Sequence, residues 1–189
     1  MKYDAAFCER EYNARAAVPD CARHMTEWAA QSQRVRIAEP CYLDIAYGTG
    51  SQQNLDLFPA RRGGGTAPVM VFIHGGYWRG MDKSDFSFLA PAFTRAGITL
   101  AVINYRLIPA VPMEELVRDV VSAITWVYLH AGHYGANPHR LTVSGHSAGG
   151  HLAALTTTAA VPTGPTMVSG AFWNVMIQRV VMTSFRSVM

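Results

Sequence analysis

The chain has 189 residues, enough to fold as one domain around a sizeable hydrophobic core. Half of it is hydrophobic and only 15% is charged, which excludes a disordered chain. The net charge of +3 comes without a run of like charges, which excludes a nucleic-acid-binding patch. The chain in order opens on Met1-Lys-Tyr-Asp and Cys8-Glu9-Arg10-Glu11, where charges come too early for the apolar core of a signal peptide. From about Asp4 to Arg36 the pattern predicts helix with a break at Val18-Pro19-Asp20, and Asp20 is the candidate N-cap of a second helix through Trp28. Cys41 to Tyr47 predicts a first strand, Gly48-Thr-Gly50-Ser a turn, and Gln53 to Phe58 the returning strand of a hairpin. Arg61-Arg62, the densest basic spot, sits beside Gly63-Gly64-Gly65 and reads as a solvated turn.

Val69 to Ile73 is a continuous apolar run, as expected of a parallel strand buried on both faces. It ends in His74-Gly75-Gly76-Tyr77-Trp78. Met81-Asp82-Lys83-Ser84 offers N-caps for a helix from about Asp85 to Arg95, which closes on Gly97 and is expected to kink at Pro91. Ile98 to Ile103 predicts another buried strand, and Asn104-Tyr105-Arg106-Leu107 leads from its end into a loop. Met113 to Ala131 predicts the longest helix, with Leu116, Val120, Ile124 and Val127 close to one face. A strand over Arg140 to Ser144 then runs into Gly145-His146-Ser147-Ala148-Gly149-Gly150-His151, followed by the helix formers Leu152 to Leu155.

Alternating strands and helices predict an α/β fold with a mostly parallel sheet and helices on both faces, arranged as a single domain over residues 1–189. Residues 1–36 would be a helical N-terminal segment, 37–160 the core sheet carrying both glycine motifs, and 161–189 an atypical tail rich in Met, Val and Ser. Within that tail only Met167 to Phe172 offers a further strand. Without one, the strand bearing Ser147 would show an unpaired edge open to self-association. No uninterrupted apolar run approaches membrane-spanning length. Cys8, Cys21 and Cys41 are odd in number, far apart and without metal-ligand spacing, and so fit reduced thiols in a cytoplasmic protein.

Gly145-x-Ser147-x-Gly149 between a strand and a helix is the setting of a nucleophile turn. The turn is tight and its central residue strained, so side chains at the flanking glycines would collide. Ser147 would stand at the N-terminus of the helix, where the Ala148 N–H points at negative charge developing on a substrate oxygen. The His74-Gly75-Gly76-Tyr77-Trp78 loop can complete that oxyanion hole. The alternative is a pair of glycine turns that bind a ligand without chemistry.

Together these two motifs resemble the α/β-hydrolase fold and, within it, the arylformamidase (kynurenine formamidase) group. Glu11-Tyr12-Asn13-x-Arg15 with Val18-Pro19-Asp20, and Tyr47-Gly48 followed by Leu55-Asp56-Leu57-Phe58, are similar to the same group. The resemblance runs from about Glu9 to about Thr158. It implies hydrolysis of an N-formyl aryl amide such as N-formyl-kynurenine, with Ser147 as the catalytic nucleophile and no cofactor or metal. The N–H groups of Gly76, Tyr77 and Ala148 would hold the oxyanion, and Gly75 would shape the loop. Tyr77, Trp78 and His146 are the candidate substrate-binding residues, although core packing explains the two aromatic rings equally well. A carboxylesterase of the same fold and an inactive fragment or pseudoenzyme are the alternatives. The third class arises because the fold orders its triad as Ser, acid, His, whereas no Asp or Glu follows Asp119 and no His follows His151. The chain is therefore expected to be truncated and poor in activity. His74 is expected to make a structural hydrogen bond, His146 to point away from Ser147, and His24, His130, His133 and His139 to lie apart from the site.

Overall fold

The computed structural model describes residues 3–13, 18–156 and 179–183. The N-terminal segment forms two helices, α1 (Ala5–Tyr12) and α2 (Cys21–Ala38). Asp4 caps α1 by accepting the Phe7 N–H at 2.8 Å. Asp20 stands at the start of α2 but makes no capping bond. Its carboxylate lies 3.5 Å from Arg23 instead. The second helix ends at Ala38, two residues beyond the helical stretch expected to reach about Arg36, and it packs on the 3₁₀ segment Lys83–Leu89. There Trp28 stacks on Phe88 at 5.7 Å, and Ser32 Oγ accepts the Phe88 N–H at 3.0 Å.

Among the described residues six strands follow: β1 (Tyr42–Ala46), β2 (Asn54–Phe58), β3 (Ala67–Ile73), β4 (Thr99–Ile103), β5 (Ala136–His146) and β6 (Arg179–Thr183). They lie in the order β1-β2-β4-β3-β5-β6. The β1–β2 hairpin is antiparallel, as expected, and β2 also meets β4 antiparallel. The remaining pairings are parallel. The mostly parallel sheet expected from the sequence is thus present, with an antiparallel hairpin on one edge.

Three expectations need correction. The helix expected from Asp85 to Arg95 is a 3₁₀ segment, Lys83–Leu89, followed by α3 (Ala90–Arg95). Pro91 falls in the first turn of α3, where its missing N–H costs nothing, so it starts a helix and kinks none. The strand after Pro165 lies at Arg179–Thr183, within the stretch read as an atypical tail; Met167 to Phe172 falls outside the described residues. Because β6 pairs with Thr142 to His146, the strand bearing the serine turn is flanked on both sides, and the unpaired edge expected there is absent.

Strand alternation divides the core into two layers. Val69, Val71, Ile73, Ala101, Ile103, Leu141 and Val143 face α4 (Met113–His130), which contributes Leu116, Val120, Ile124 and Val127. Phe72, Leu100 and Val102 face the other way, against Phe86 and Ala90. This two-sided burial explains why β3 and β4 read as continuous apolar runs.

Candidate active site

Parallel pairing sets Ile73 opposite Gly145, so the loops that leave β3 and β5 emerge side by side at the carboxyl end of the sheet. Ser147 lies between β5 and α5 (Ala148–Leu155) with φ 53° and ψ −118°, a strained conformation for a residue with a side chain. A Cβ on Gly145 would overlap the Gly149 carbonyl, and one on Gly149 would overlap the Ile73 carbonyl. The two glycines therefore let β5 turn sharply into α5 and let α5 sit directly on the end of β3.

The second motif reaches the first at Gly75. A Cβ there would stand 2.9 Å from the His146 carbonyl oxygen and 3.2 Å from Ser147 Cβ, so only glycine fits without displacement. Beyond it the chain runs through Gly76 (φ 110°), Tyr77 (φ 59°) and Trp78 (φ 60°), three successive residues in left-handed conformation. The loop's polar groups are unevenly used. The His74 carbonyl accepts from Tyr105 Oη at 2.8 Å, the Gly75 carbonyl from His74 Nδ1 at 2.7 Å, and the Trp78 carbonyl from the Ile108 N–H at 2.9 Å. The Gly76 carbonyl accepts from the Arg79 and Gly80 N–H groups, both at 3.1 Å. Among the described residues, the N–H groups of Gly76, Tyr77 and Ala148 meet no acceptor. Ala148 is the first residue of α5, so its N–H is unclaimed by helix geometry.

The histidines fall into place around this site. His74 is buried between Tyr105, stacked at 4.4 Å, and Phe86 at 6.0 Å. Burial pushes its pKa down to about 4, so it is a neutral imidazole with Nδ1 protonated toward Gly75. This is the structural role expected of it. His146 is half-buried against Trp28 and Phe86, and desolvation lowers its pKa too. His151, on α5, meets the edge of Trp78 at 5.3 Å. Among the described residues, none of them hydrogen-bonds Ser147 Oγ. Of the candidate substrate-binding residues, Tyr77 is 67% exposed and meets the edge of Trp78, while Trp78 packs partly against the core. No cluster of three or more metal-binding side chains occurs among the described residues, and no helix there is long and apolar enough to cross a membrane.

Sequence reasoning passed over the residues just after β4. Asn104 is buried and ties three elements together. Its Oδ1 accepts the Lys83 N–H at 2.7 Å, and its Nδ2 donates to Asp82 at 2.6 Å and to Gln52 at 3.1 Å. Asp82 caps the 3₁₀ segment in a capping box with Asp85. Burial raises the Asp82 pKa, but hydrogen bonds from Ser84 and Asn104 outweigh it and leave the carboxyl below its usual value. Asp119, also buried, receives Arg106 through Nε and Nη2, both at 2.8 Å, and Gln53 at 2.7 Å. The signal was present: three polar-tipped residues, Asn104-Tyr105-Arg106, follow a buried parallel strand at its carboxyl end. A shallow groove of about 560 Å³, lined by Arg62, Thr66, Ile98 and Arg140 among others, lies at the amino ends of β3 and β4, opposite Ser147.

Residues 55–169 match the BD-FAE family. The chain is 27% identical over 150 residues to a kynurenine formamidase of Salmo salar, covering 79% of this chain and 50% of the relative. It is 41% identical over 103 residues to the carboxylic ester hydrolase LipN of Mycobacterium tuberculosis, covering 51% of this chain and 27% of the relative. A solved structure of a thioesterase candidate from Silicibacter superposes with a TM-score of 0.73 at 28% identity, covering 95% of this chain and 62% of that one. The chain spans about half the length of the formamidase it matches, and its sheet and helices have the α/β-hydrolase fold.

Proposed function

The chain belongs to the BD-FAE family, and from that footing we propose that the protein is a serine hydrolase of the arylformamidase type. It cleaves the formyl amide of an aryl substrate such as N-formyl-kynurenine. The observation that supports this reading is the close approach of Gly75, whose Cβ would stand 3.2 Å from Ser147 Cβ, to a strained serine, in a loop whose Gly76 and Tyr77 N–H groups meet no acceptor among the described residues. Ser147 Oγ attacks the formyl carbon, and its proton passes to a base. The carbonyl oxygen becomes an oxyanion held by those two donors and the Ala148 N–H. The C–N bond then breaks, the protonated amine leaves, and water releases formate from the formyl-serine ester. Exposed Tyr77 offers an aryl ring a stacking surface at the mouth of the site. This chain supplies the nucleophile and the oxyanion donors; its sequence holds no Asp or Glu after Asp119 and no His after His151 to complete the triad.

A second reading, a carboxylesterase with the same nucleophile and oxyanion loop, is favoured by the higher identity to LipN. Turnover of N-formyl-kynurenine and of a short-chain aryl ester, with Ser147→Ala as control, separates the two. Preference for the amide, lost in the variant, supports the formamidase. Preference for the ester, lost in the variant, selects the esterase. Turnover that survives Ser147→Ala overturns both.

A further inference from the structure

We propose that Tyr105 is a positioning residue that sets the polarity of the oxyanion loop. This assignment rests on Ser147 being the nucleophile. The carbonyls of His74, Gly75, Gly76 and Trp78 all accept hydrogen bonds, whereas the N–H groups of Gly76 and Tyr77 have no acceptor among the described residues. A loop that hides its carbonyls and leaves its N–H groups open is built to receive an anion. The anchor of that arrangement is Tyr105, the second residue beyond β4. Its hydroxyl donates to the His74 carbonyl at 2.8 Å, and its ring lies at 4.4 Å and 13° on the imidazole. That stack fixes the imidazole plane from which Nδ1 reaches the Gly75 carbonyl. One side chain thus orients two consecutive carbonyls, the first directly and the second through His74. Tyr105 is fully buried, so its hydroxyl has no water to turn to. Three left-handed residues follow, a strained run that relaxes unless its entry is held. Without the hydroxyl the His74–Gly75 peptide is free to rotate, and the donors beyond it lose their direction.

The test is Tyr105→Phe, which keeps the ring and its stack and removes one oxygen. The readout is the rate at which an activated fluorophosphonate labels Ser147, because that reaction builds charge on the phosphoryl oxygen. Losing one buried hydrogen bond to the loop should slow labelling about tenfold. In a Gly76→Val background, where the loop is already displaced, Tyr105→Phe should add nothing. Amide exchange at Gly76 and Tyr77 should be faster in Tyr105→Phe than in the unsubstituted protein, which reads the loop without chemistry. Wild-type labelling and exchange in Tyr105→Phe would overturn the assignment. So would additive losses in the double variant, or loss of the cooperative melt, since Tyr105 would then serve the fold at large. Labelling unaffected by Ser147→Ala would instead remove the serine mechanism itself.

Discussion

At the scale of single residues, the site depends on groups held in forms they would not adopt in water. His74 is the sharpest case. Its pKa falls from 6.5 to about 4 on burial, so the unfolded chain binds the proton more tightly than the folded one. Stability from this residue is full above pH 6.5 and drains away as pH falls toward 4, a difference on the order of 3 kcal/mol. Denaturation midpoints at pH 7 and 4.5 should show the loss. A His74 ring titrating at or above 6.5 by NMR would contradict it. Gly76 is held by backbone as His74 is held by burial. At φ 110°, with the Gly80 carbonyl where a Cβ would stand, Gly76→Val must displace the donors around it. In the enzyme with its base, kcat should fall by about 3–4 kcal/mol of transition-state stabilisation while KM barely moves. A variant with normal kcat would remove the loop from the mechanism.

Among the elements, local chemistry was legible and distant partnership was not. The turn at Ser147 could be read because Gly145 and Gly149 are demanded by contacts within a few residues and at the strand end alongside. The runs at β3, β4 and β5 declared themselves because both sheet faces are covered. The 3₁₀ form of Lys83–Leu89 and its packing on α2 stayed hidden, because that contact joins residues more than fifty positions apart. Asp56 is the plainest example. It looks like the polar half of an alternating strand, yet it is fully buried. Arg36 of α2 and Lys83 of the 3₁₀ segment both pair with its carboxylate, the latter at 2.9 Å, and the Asp44 N–H donates to it at 2.9 Å. Removing it leaves two cations, one of them almost fully buried, with only the exposed carboxylate of Asp44 as partner. Asp56→Ala should therefore cost about 3–5 kcal/mol in chemical denaturation. A loss below about 1 kcal/mol would show that α2 is held on the sheet by Trp28 and its apolar neighbours alone.

For the molecule as a whole, β6 decides how the sheet ends. The tail gave no period from which to place that strand, since a five-residue parallel strand is specified by the partner it joins. With β6 beside it, β5 is paired on both edges from Thr142 to Gly145, and the amides of Thr142 to Gly145 should all exchange slowly. Fast exchange at every second amide would return an open edge to β5. The proposed self-association through a sheet edge accordingly moves to β1 and β6, the outer strands among the described residues.

The most direct test of the central claim, that two glycine loops join a nucleophile to an oxyanion site in this chain, is mass spectrometry after exposure to an activated fluorophosphonate. A single adduct is expected on Ser147, absent from Ser147→Ala and slowed by Gly76→Val. It should form slowly, because no base reaches the hydroxyl among the described residues. Fast stoichiometric labelling would place a base within this chain. An adduct that persists in Ser147→Ala, or forms as readily in Gly76→Val, would contradict the site.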